Sequence, residues 1–284
     1  MNRTGQLDRI YQRAWTSHIA SRELSIEKTW VDLGLTAAFD WVAGECAGEP
    51  LLEIGVGAGL TIPLMTQISC DYTGIEYSPR LLERVRLRFP DLDLRLMDAR
   101  DMVGLESDYY ALAAFCWNGI DCVDYQDRQR VLEEMYRVTR PGGLVLFSSH
   151  NRDGPGFRES IWKLRPRLSR NPLRFGWGVV RTLRLFPIAT YHYLRHMRCR
   201  RDHAGYSIKA AAAHFFRIMI VYVTLPEQRR QLASFGFQID AVFGSGDGKR
   251  IYAETQTSDA WWFHFIARKP AQARDLAPNA LAVK

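Results

Sequence analysis

Short apolar runs alternate with amphipathic stretches between residues 51 and 150, a pattern that predicts alternating strands and helices. The first strand begins at Leu51, and further strands are predicted at 71–76, 92–97, 110–117 and 144–148. Helices are predicted between them at 61–67, 80–88 and 127–139. The fourth run is almost continuously apolar, as expected of a buried parallel strand. This part of the chain is therefore predicted to form an α/β fold.

Two helices are predicted before the first strand, at 6–20 and 25–46, from apolar residues that recur on one helical face. Because these helices precede the first strand, they can lie over its carboxyl end. Tyr11 and Trp15 are four residues apart on the first helix, so they form either a core stripe or part of a lid over a ligand.

A glycine-rich turn follows the first predicted strand, in a stretch that runs from Leu51 to Thr61. Gly55, Gly57 and Gly59 lack a Cβ, so the backbone can adopt turns closed to other residues and let a ligand approach closely. A dinucleotide-binding turn places its third glycine three positions after the second, and that position is Leu60 here. The turn therefore indicates a nucleotide-type cofactor other than a dinucleotide.

Polar residues follow the second and fourth predicted strands. Glu76 ends the second strand about 20 residues past the glycines, where α/β nucleotide-binding folds place a carboxylate that accepts the ribose hydroxyls. Trp117, Asn118 and Asp121 follow the fourth strand. Because ligands bind at the carboxyl ends of strands in open α/β sheets, these three residues are predicted to face the reacting centre.

The pattern Glu53-x-Gly55-x-Gly57-x-Gly59 resembles the first motif of the class I S-adenosylmethionine (SAM) dependent methyltransferases. The helix at 127–139, the turn Arg140-Pro141-Gly142-Gly143 and the following strand are similar to that family's connection into its fifth strand. The resemblance covers residues 51–150 and resumes at 226–268, where a helix ending at Gly236 and strands at 238–243 and 261–268 look like the antiparallel hairpin that closes such a sheet.

This resemblance implies a SAM-dependent enzyme with a Rossmann-like seven-stranded sheet, mostly parallel with one antiparallel strand, and an inserted helical cap. In that family an acid at the position of Asp98 contacts the adenine amine, although Asp98 can equally be a helix cap. The residues expected to bind SAM are Glu53, Gly55, Gly57, Gly59, Glu76, Asp98, Ala99, Trp117 and Asn118. The expected division of the chain is a lid at 1–48, a SAM-binding core at 49–150, a basic cap at 151–225, a segment completing the sheet at 226–269 and a frayed tail at 270–284.

Composition excludes several other classes of protein. A hydrophobic fraction of 47% and eight Trp exclude a largely disordered chain. No apolar run is long enough to cross a bilayer, and the N-terminus lacks the form of a signal peptide. The five Cys form an odd number without a Cys-x-x-Cys pair, so they are expected to be reduced. These features favour a cytoplasmic protein.

The excess positive charge lies in one segment, residues 151–225, which holds 15 Lys and Arg against three Asp and Glu. Arginines interleaved with aromatic residues suit an anionic membrane surface, RNA phosphates or an anionic small substrate, or they are simply solvated. No RNA-binding module accompanies them, which makes nucleic acid a less favoured partner. His192 and His196 are four residues apart, but so basic a helix repels a cation, and no metal site is expected.

Methyl transfer to oxygen benefits from a general base, for which His150, directly after the fifth strand, and His214, in the cap, are the candidates. The chain lacks the Asn/Asp-Pro-Pro-Tyr/Phe motif by which many amino-group methylases are recognised, and this favours O-methylation of a small or lipid-linked acceptor. Residues expected to contact the acceptor are Tyr11, Trp15, Asp121 and Tyr206. An RNA methyltransferase and a non-catalytic SAM-fold binding protein are the alternatives, and the oligomeric state is left open.

Overall fold

A computed structural model describes residues 31–166, 168–212 and 215–271. Within these residues, ten strands form two sheets: β1 (Leu51–Ile54), β2 (Tyr72–Glu76), β3 (Asp93–Leu96), β4 (Tyr110–Phe115), β5 (Thr139–His150), β6 (Arg201–Asp202), β7 (Tyr206–Ala210), β8 (Met219–Val223), β9 (Gln238–Gly244) and β10 (Trp262–Arg268). The larger sheet has the order β3-β2-β1-β4-β5-β10-β9. Six of its strands run in one direction, and β10 pairs antiparallel with both of its neighbours. The predicted seven-stranded sheet is confirmed.

Helices cover both faces of the large sheet. They are α1 (Leu33–Ala43), α2 (Ile62–Ile68), α3 (Pro79–Arg88), α4 (Tyr125–Val138), α5 (Pro155–Arg158), α6 (Pro172–Met197) and α7 (Leu225–Ser234), with 3-10 turns at Gly119–Cys122 and Ile161–Leu164. Side chains alternate across a strand, so Leu52 packs with α4 and α7 while Leu51 packs with α1, α2 and α3. The two resulting cores hold the sheet between two helical layers.

The segment between β5 and α7 forms its own small unit. As expected, it contains a long helix, α6, but it also contains a three-stranded antiparallel sheet, β6-β7-β8, that the sequence patterns did not predict. Buried residues of α6 and of this sheet, among them Ala189, Ile208 and Val221, form a third core. The expectation of a purely helical cap is therefore incomplete.

Pro187 lies inside α6 without ending it, and the helix continues for ten further residues to Met197. Proline lacks an N–H and leaves the carbonyl four residues earlier without its helical partner. Pro187 lies on the exposed side of α6, where water can bond to that carbonyl.

The predicted helix at 25–46 is shorter in its described part, since Val31 and Asp32 are not helical and α1 begins at Leu33. Asp32 caps the N-terminus of α1, because its Oδ1 accepts from Leu35 N at 3.0 Å. The same carboxylate accepts from His264 Nε2 at 2.9 Å and Trp262 Nε1 at 3.4 Å. One buried acid thus fixes the start of α1 against β10.

We expect a methyl group at Gly34 to disrupt this packing, because an added Cβ would lie 2.4 Å from Gly244 O and 2.7 Å from His264 Cδ2. Gly34→Ala should lower the free energy of unfolding by about 1–3 kcal/mol, that is, lower the Tm by roughly 2–4 °C per kcal/mol. Gly44→Ala is the matched control, since a Cβ there meets nothing within 4 Å and its φ is −67°. Equal melting temperatures for the two variants would contradict this account of α1.

Candidate active site

A cavity of about 210 Å³ lies at the carboxyl edge of the large sheet, beyond the ends of β1, β2, β3 and β4. Its walls are formed by Gly55, Val56, Gly57, Ala58, Leu60, Glu76, Tyr77, Leu81, Asp98, Ala99, Arg100, Phe115, Cys116, Trp117, Gly119, Cys122 and Val123. Six of the nine residues predicted to bind the cofactor are in this wall. The cavity is therefore the candidate cofactor site.

The glycines of the turn after β1 have two different tasks. Gly55 and Gly57 have φ values of +69° and +57°, a region that favours glycine. A Cβ on Gly57 would meet no protein atom closer than 3.8 Å, so the space in front of this residue is open to a ligand. Gly59 lies outside the cavity wall, and a Cβ there would lie 2.8 Å from the Phe89 ring and 3.0 Å from Val85. The third glycine thus serves helix packing.

Glu76 holds the turn and presents acceptors to the cavity. Its Oε2 accepts from Gly57 N at 2.8 Å, and its Oε1 accepts from Ser78 N at 2.7 Å. Burial raises the pKa of the Glu76 carboxyl, against the effect of these backbone hydrogen bonds. A carboxylate oxygen can accept two hydrogen bonds, so each oxygen retains capacity for a ligand hydroxyl.

Asp98 and Ala99 line the cavity, as predicted, beside Arg100. Asp98 accepts from the backbone N of Arg100 at 2.9 Å and from its guanidinium at 2.7 Å. Burial opposes ionisation of Asp98, but these contacts hold the pKa of its carboxyl below the ordinary value. Arg100 also donates to Asp127 at 2.9 Å, which fixes this wall to α4. Asp98 therefore both shapes its turn and presents a carboxylate at the cavity.

The backbone after β4 is left-handed at two consecutive residues, Trp117 with φ +55° and Asn118 with φ +58°. Such values are rare outside glycine and cluster at functional sites. The backbone N of Asn118 donates to Ser148 Oγ at 2.7 Å, which ties the turn to β5. Asn118 Oδ1 is buried and accepts no hydrogen bond from any residue that the structure describes. Asn118 is not part of the cavity wall, although the sequence prediction placed it among the cofactor ligands.

Glu53 does not line the cavity, although the sequence motif placed it among the cofactor ligands. Its buried carboxylate accepts from Tyr72 Oη at 2.7 Å and bonds the side chain of Thr61. Burial raises the pKa of Glu53 to about 7. Its contacts run to β2 and to the residue before α2, so its effect on a cofactor is through the position of the glycine turn.

His150 and Asp121 form a pair at the end of β5. The Asp121 carboxylate accepts from His150 N at 2.6 Å and lies 2.7 Å from His150 Nδ1. A carboxylate at Nδ1 selects the tautomer with its proton there and leaves Nε2 as the acceptor. Nε2 forms no hydrogen bond with a described residue, and the side chain of His150 is 19% exposed. This arrangement suits a general base.

Asp121 is fully buried, so it cannot contact an acceptor, contrary to the sequence prediction. Its other partners are Ser149 Oγ at 3.0 Å and the guanidinium of Arg128, which is equally buried. Arg128 also bonds Gln228 and Gln231 of α7. Asp121 is therefore a positioning residue, held by charge compensation within the core.

The remaining predictions on the acceptor side do not meet at the cavity. Tyr206 lies on β7 and stacks on Tyr125 with ring centroids 3.5 Å apart, outside the cavity wall. Tyr11, Trp15 and His214 lie outside the described residues. Within the described ranges, no group of three or more His, Cys, Asp or Glu side chains is arranged to hold a metal ion.

Sequence reasoning missed Arg128, which connects His150 to the core. A signal was present, because Arg128 lies three, four and seven residues before Val131, Leu132 and Met135 on the buried face of α4. An arginine on an apolar helical face requires a buried anion. The nearby acid that satisfies this requirement is Asp121.

The donor and acceptor set of the cavity fits a nucleoside-type cofactor. Gly57 leaves the turn open, and Glu76 offers carboxylate oxygens for hydroxyl groups. The apolar walls, Leu81, Phe115 and Val123 among them, suit a flat ring system.

Comparison with known proteins agrees with this geometry. Residues 52–147 match a family model described as "Methyltransferase domain". The chain is 29% identical over 136 residues to a phosphatidylethanolamine N-methyltransferase of Cereibacter sphaeroides, across 46% of this chain and 63% of that protein. It is 27% identical over 139 residues to a ubiquinone biosynthesis O-methyltransferase of Thiobacillus denitrificans, across 45% and 59%. The matches thus span less than two thirds of these relatives.

A solved structure shares the fold across nearly the whole chain. It is the 1,6-didemethyltoxoflavin-N1-methyltransferase of Burkholderia thailandensis with bound 1,6-didemethyltoxoflavin and S-adenosylhomocysteine, and its TM-score is 0.57 at 11% identity, covering 95% of this chain and 92% of that one. The sequence prediction of SAM as the cofactor is confirmed at the level of the family. Residues 52–147 therefore match a methyltransferase domain, and the fold of the chain is the one seen in solved SAM-dependent methyltransferases.

Proposed function

We propose that this protein transfers a methyl group from SAM to an oxygen of a small or lipid-linked acceptor, with His150 as the general base. The observation that carries the proposal is the Asp121–His150 pair at the end of β5, at the same sheet edge as the cofactor cavity. The 3-10 turn Gly119–Cys122 joins the two, because Gly119 and Cys122 line the cavity while Asp121 holds His150.

The residues that would hold SAM are those of the cavity wall. Glu76 would accept the ribose hydroxyls, Asp98 would accept from the adenine amine, and the open turn at Gly57 would admit the cofactor close to the backbone. SAM supplies a methyl group already activated on a sulfonium. The protein's main contribution is therefore to align the acceptor, exclude water and take one proton.

His150 performs the proton step. With its Nδ1 proton donated to Asp121, Nε2 carries the lone pair that accepts the acceptor's hydroxyl proton, and Asp121 stabilises the imidazolium that results. A neutral amine already has a nucleophilic lone pair, whereas a hydroxyl gains most from deprotonation. This base therefore supports an oxygen acceptor.

The surroundings of His150 support an apolar acceptor. Its ring centroid lies 5.4 Å from that of Tyr222 and 6.4 Å from that of Trp262. The ring centroid of Phe157 lies 5.3 Å from that of Tyr222. Aromatic walls of this kind bind hydrophobic groups. The names of two relatives, which refer to phosphatidylethanolamine and to ubiquinone biosynthesis, support a lipid-linked compound over RNA.

We expect Glu76→Gln to weaken SAM binding about 10- to 100-fold, the loss of a hydrogen bond to a charged acceptor being worth about 1.5–3 kcal/mol. The amide also places an N–H₂ group against Gly57 N or Ser78 N, where the carboxylate now accepts. Titration calorimetry with SAM measures the affinity. Glu83→Gln on the exposed side of α3 is the control with the same change of charge. If both variants bind SAM like the parent protein, Glu76 is not the ribose ligand.

We expect His150→Gln to lower kcat by about 10²- to 10⁴-fold while SAM affinity stays within about threefold of the parent. The amide can still bond Asp121 but cannot take a proton. His203→Gln, at an exposed histidine, is the control.

Radiolabelled SAM measures this turnover against phosphatidylethanolamine vesicles, prenylated hydroxybenzoquinones and transfer RNA. Transfer to the quinone hydroxyl supports the proposal. Transfer to RNA alone, transfer to the amine alone, or a fully active His150→Gln variant would overturn it. SAM binding without transfer to any of the three would favour a non-catalytic binding protein.

A further inference from the structure

The outer face of α6 is apolar and open to solvent. It consists of Leu173, Trp177, Val180, Leu183, Ile188, Tyr191 and Leu194, all exposed. These residues are spaced mostly three or four apart, so they lie along one side of the helix. Trp177 is 65% exposed and Leu183 is 70% exposed. Over 26 residues the helix is about 39 Å long at 1.5 Å per residue.

The opposite face of α6 is the one that packs on the protein. Ala189 and His196 are its buried residues, and His196 Nδ1 lies 2.8 Å from the carbonyl oxygen of Phe216. Thr182 donates to Leu164 O at 2.6 Å, and Tyr193 packs edge-on against Phe216. Since these contacts fix the rotation of the helix, the exposed apolar side is not a misplaced core face.

The same outer side is positively charged. Arg174, Arg181, Arg184 and Arg195 lie on α6, and the helix contains no Asp or Glu. Arg174, Arg181 and Arg184 form no ion pair with any residue in the described part of the chain. Acidic residues of the segment 151–225 are few, and two of them, Glu159 and Asp202, already pair with Lys163 and Arg200.

We propose that the outer face of α6 binds the surface of an anionic lipid bilayer, with the helix lying in the plane of the interface. Apolar and aromatic side chains enter the boundary of the acyl chains, while the arginines on the same side meet the lipid headgroups. None of the described helices has the length and hydrophobicity required to cross a bilayer, which agrees with a helix that lies on the surface.

The charge and the apolar side chains of α6 together favour an anionic bilayer over a second copy of the chain or RNA. A second copy of the chain would bring four arginines of α6 against four like charges, which disfavours pairing through this face. RNA would match the arginines, but it offers no partner for Leu173, Val180, Leu183 and Leu194. An anionic bilayer provides both the negative charge and the apolar phase.

The position of α6 links the surface to the candidate active site. α6 packs on β7, β7 pairs with β8, and Tyr222 of β8 lies 5.4 Å from the ring of His150. A bilayer bound to α6 therefore contacts the same inserted unit, residues 151–225, that borders His150. This connection rests on the proposed function, whereas the binding of the surface does not, because it needs neither SAM nor an acceptor.

Sedimentation of the 284-residue chain with vesicles tests the inference. The probes are vesicles of phosphatidylcholine alone and vesicles in which phosphatidylglycerol replaces about a third of the lipid. We expect binding to the anionic vesicles to be at least about tenfold stronger, since each arginine near the surface contributes roughly fivefold. Equal or absent binding to the two kinds of vesicle would overturn the proposal.

The apolar contribution is tested by Trp177→Ser combined with Leu183→Ser. We expect at least a tenfold loss of affinity for anionic vesicles, because two exposed apolar side chains no longer enter the lipid. The control is Leu87→Ser with Val103→Ser, which removes two residues that are 81% and 85% exposed and lie outside α6. A similar loss in both double variants, or no loss in the first, would contradict the assignment.

The charge contribution is tested by Arg181→Gln combined with Arg184→Gln. The expected result is about a 25-fold loss on anionic vesicles, from roughly fivefold per arginine, and no loss on neutral ones. Arg130→Gln with Lys249→Gln changes the net charge equally at exposed positions elsewhere and should lose far less.

Two further measurements separate the alternative occupants. Sedimentation velocity would reveal a dimer that the Trp177 and Leu183 substitutions dissociate, an outcome that assigns this face to a second copy and overturns the proposal. Retention of transfer RNA binding by the same double variant, with weak vesicle binding by the parent protein, would assign the arginines to nucleic acid instead. Vesicle binding with no methyl transfer to any tested acceptor would leave the membrane surface supported and the proposed reaction refuted.

Discussion

Arg128 and Asp121 form an ion pair in which neither side chain has solvent exposure, at the point where α4, the 3-10 turn and the end of β5 meet. Burial lowers the pKa of Arg128, and Asp121 counters that effect. Removing either partner from such a pair typically costs about 3–5 kcal/mol, a large part of the roughly 5–15 kcal/mol by which native domains are stable. The position of His150 therefore depends on an ion pair whose loss would strongly destabilise the fold.

The cavity side of the site depends on backbone geometry. The turn after β1 is left-handed at Gly55 and Gly57, and the turn after β4 is left-handed at Trp117 and Asn118. Glu76 fixes the first turn and Ser148 the second, each through a single backbone N–H. A side chain of the neighbouring strand thus fixes each turn, Glu76 of β2 for the first and Ser148 of β5 for the second. These hydrogen bonds preorganise the wall of the cavity.

How far sequence could predict this structure depended on how local each signal was. The positions of Gly57 and Glu76 at the cavity were predictable because a glycine-rich turn and the end of a strand are each recognised from a few consecutive residues. The roles of Asp121 and Glu53 were misassigned because sequence spacing places a residue at the ligand edge but does not say whether its side chain turns inward to Arg128 or Tyr72. The sheet β6-β7-β8 was missed because its strands are short, with two residues in β6 and five each in β7 and β8.

The reversed strand β10 has a wider consequence. In a wholly parallel sheet, only segments that follow a strand border the ligand edge, but here Trp262, the first residue of β10, stands opposite His150. The backbone just before it also holds Asn151, whose amide donates to Ser258 O and Ala260 O. Under the proposed function, the cofactor cavity and the acceptor side lie on opposite halves of one sheet, so insertions beyond β5 would change the acceptor without altering the residues of the cofactor cavity.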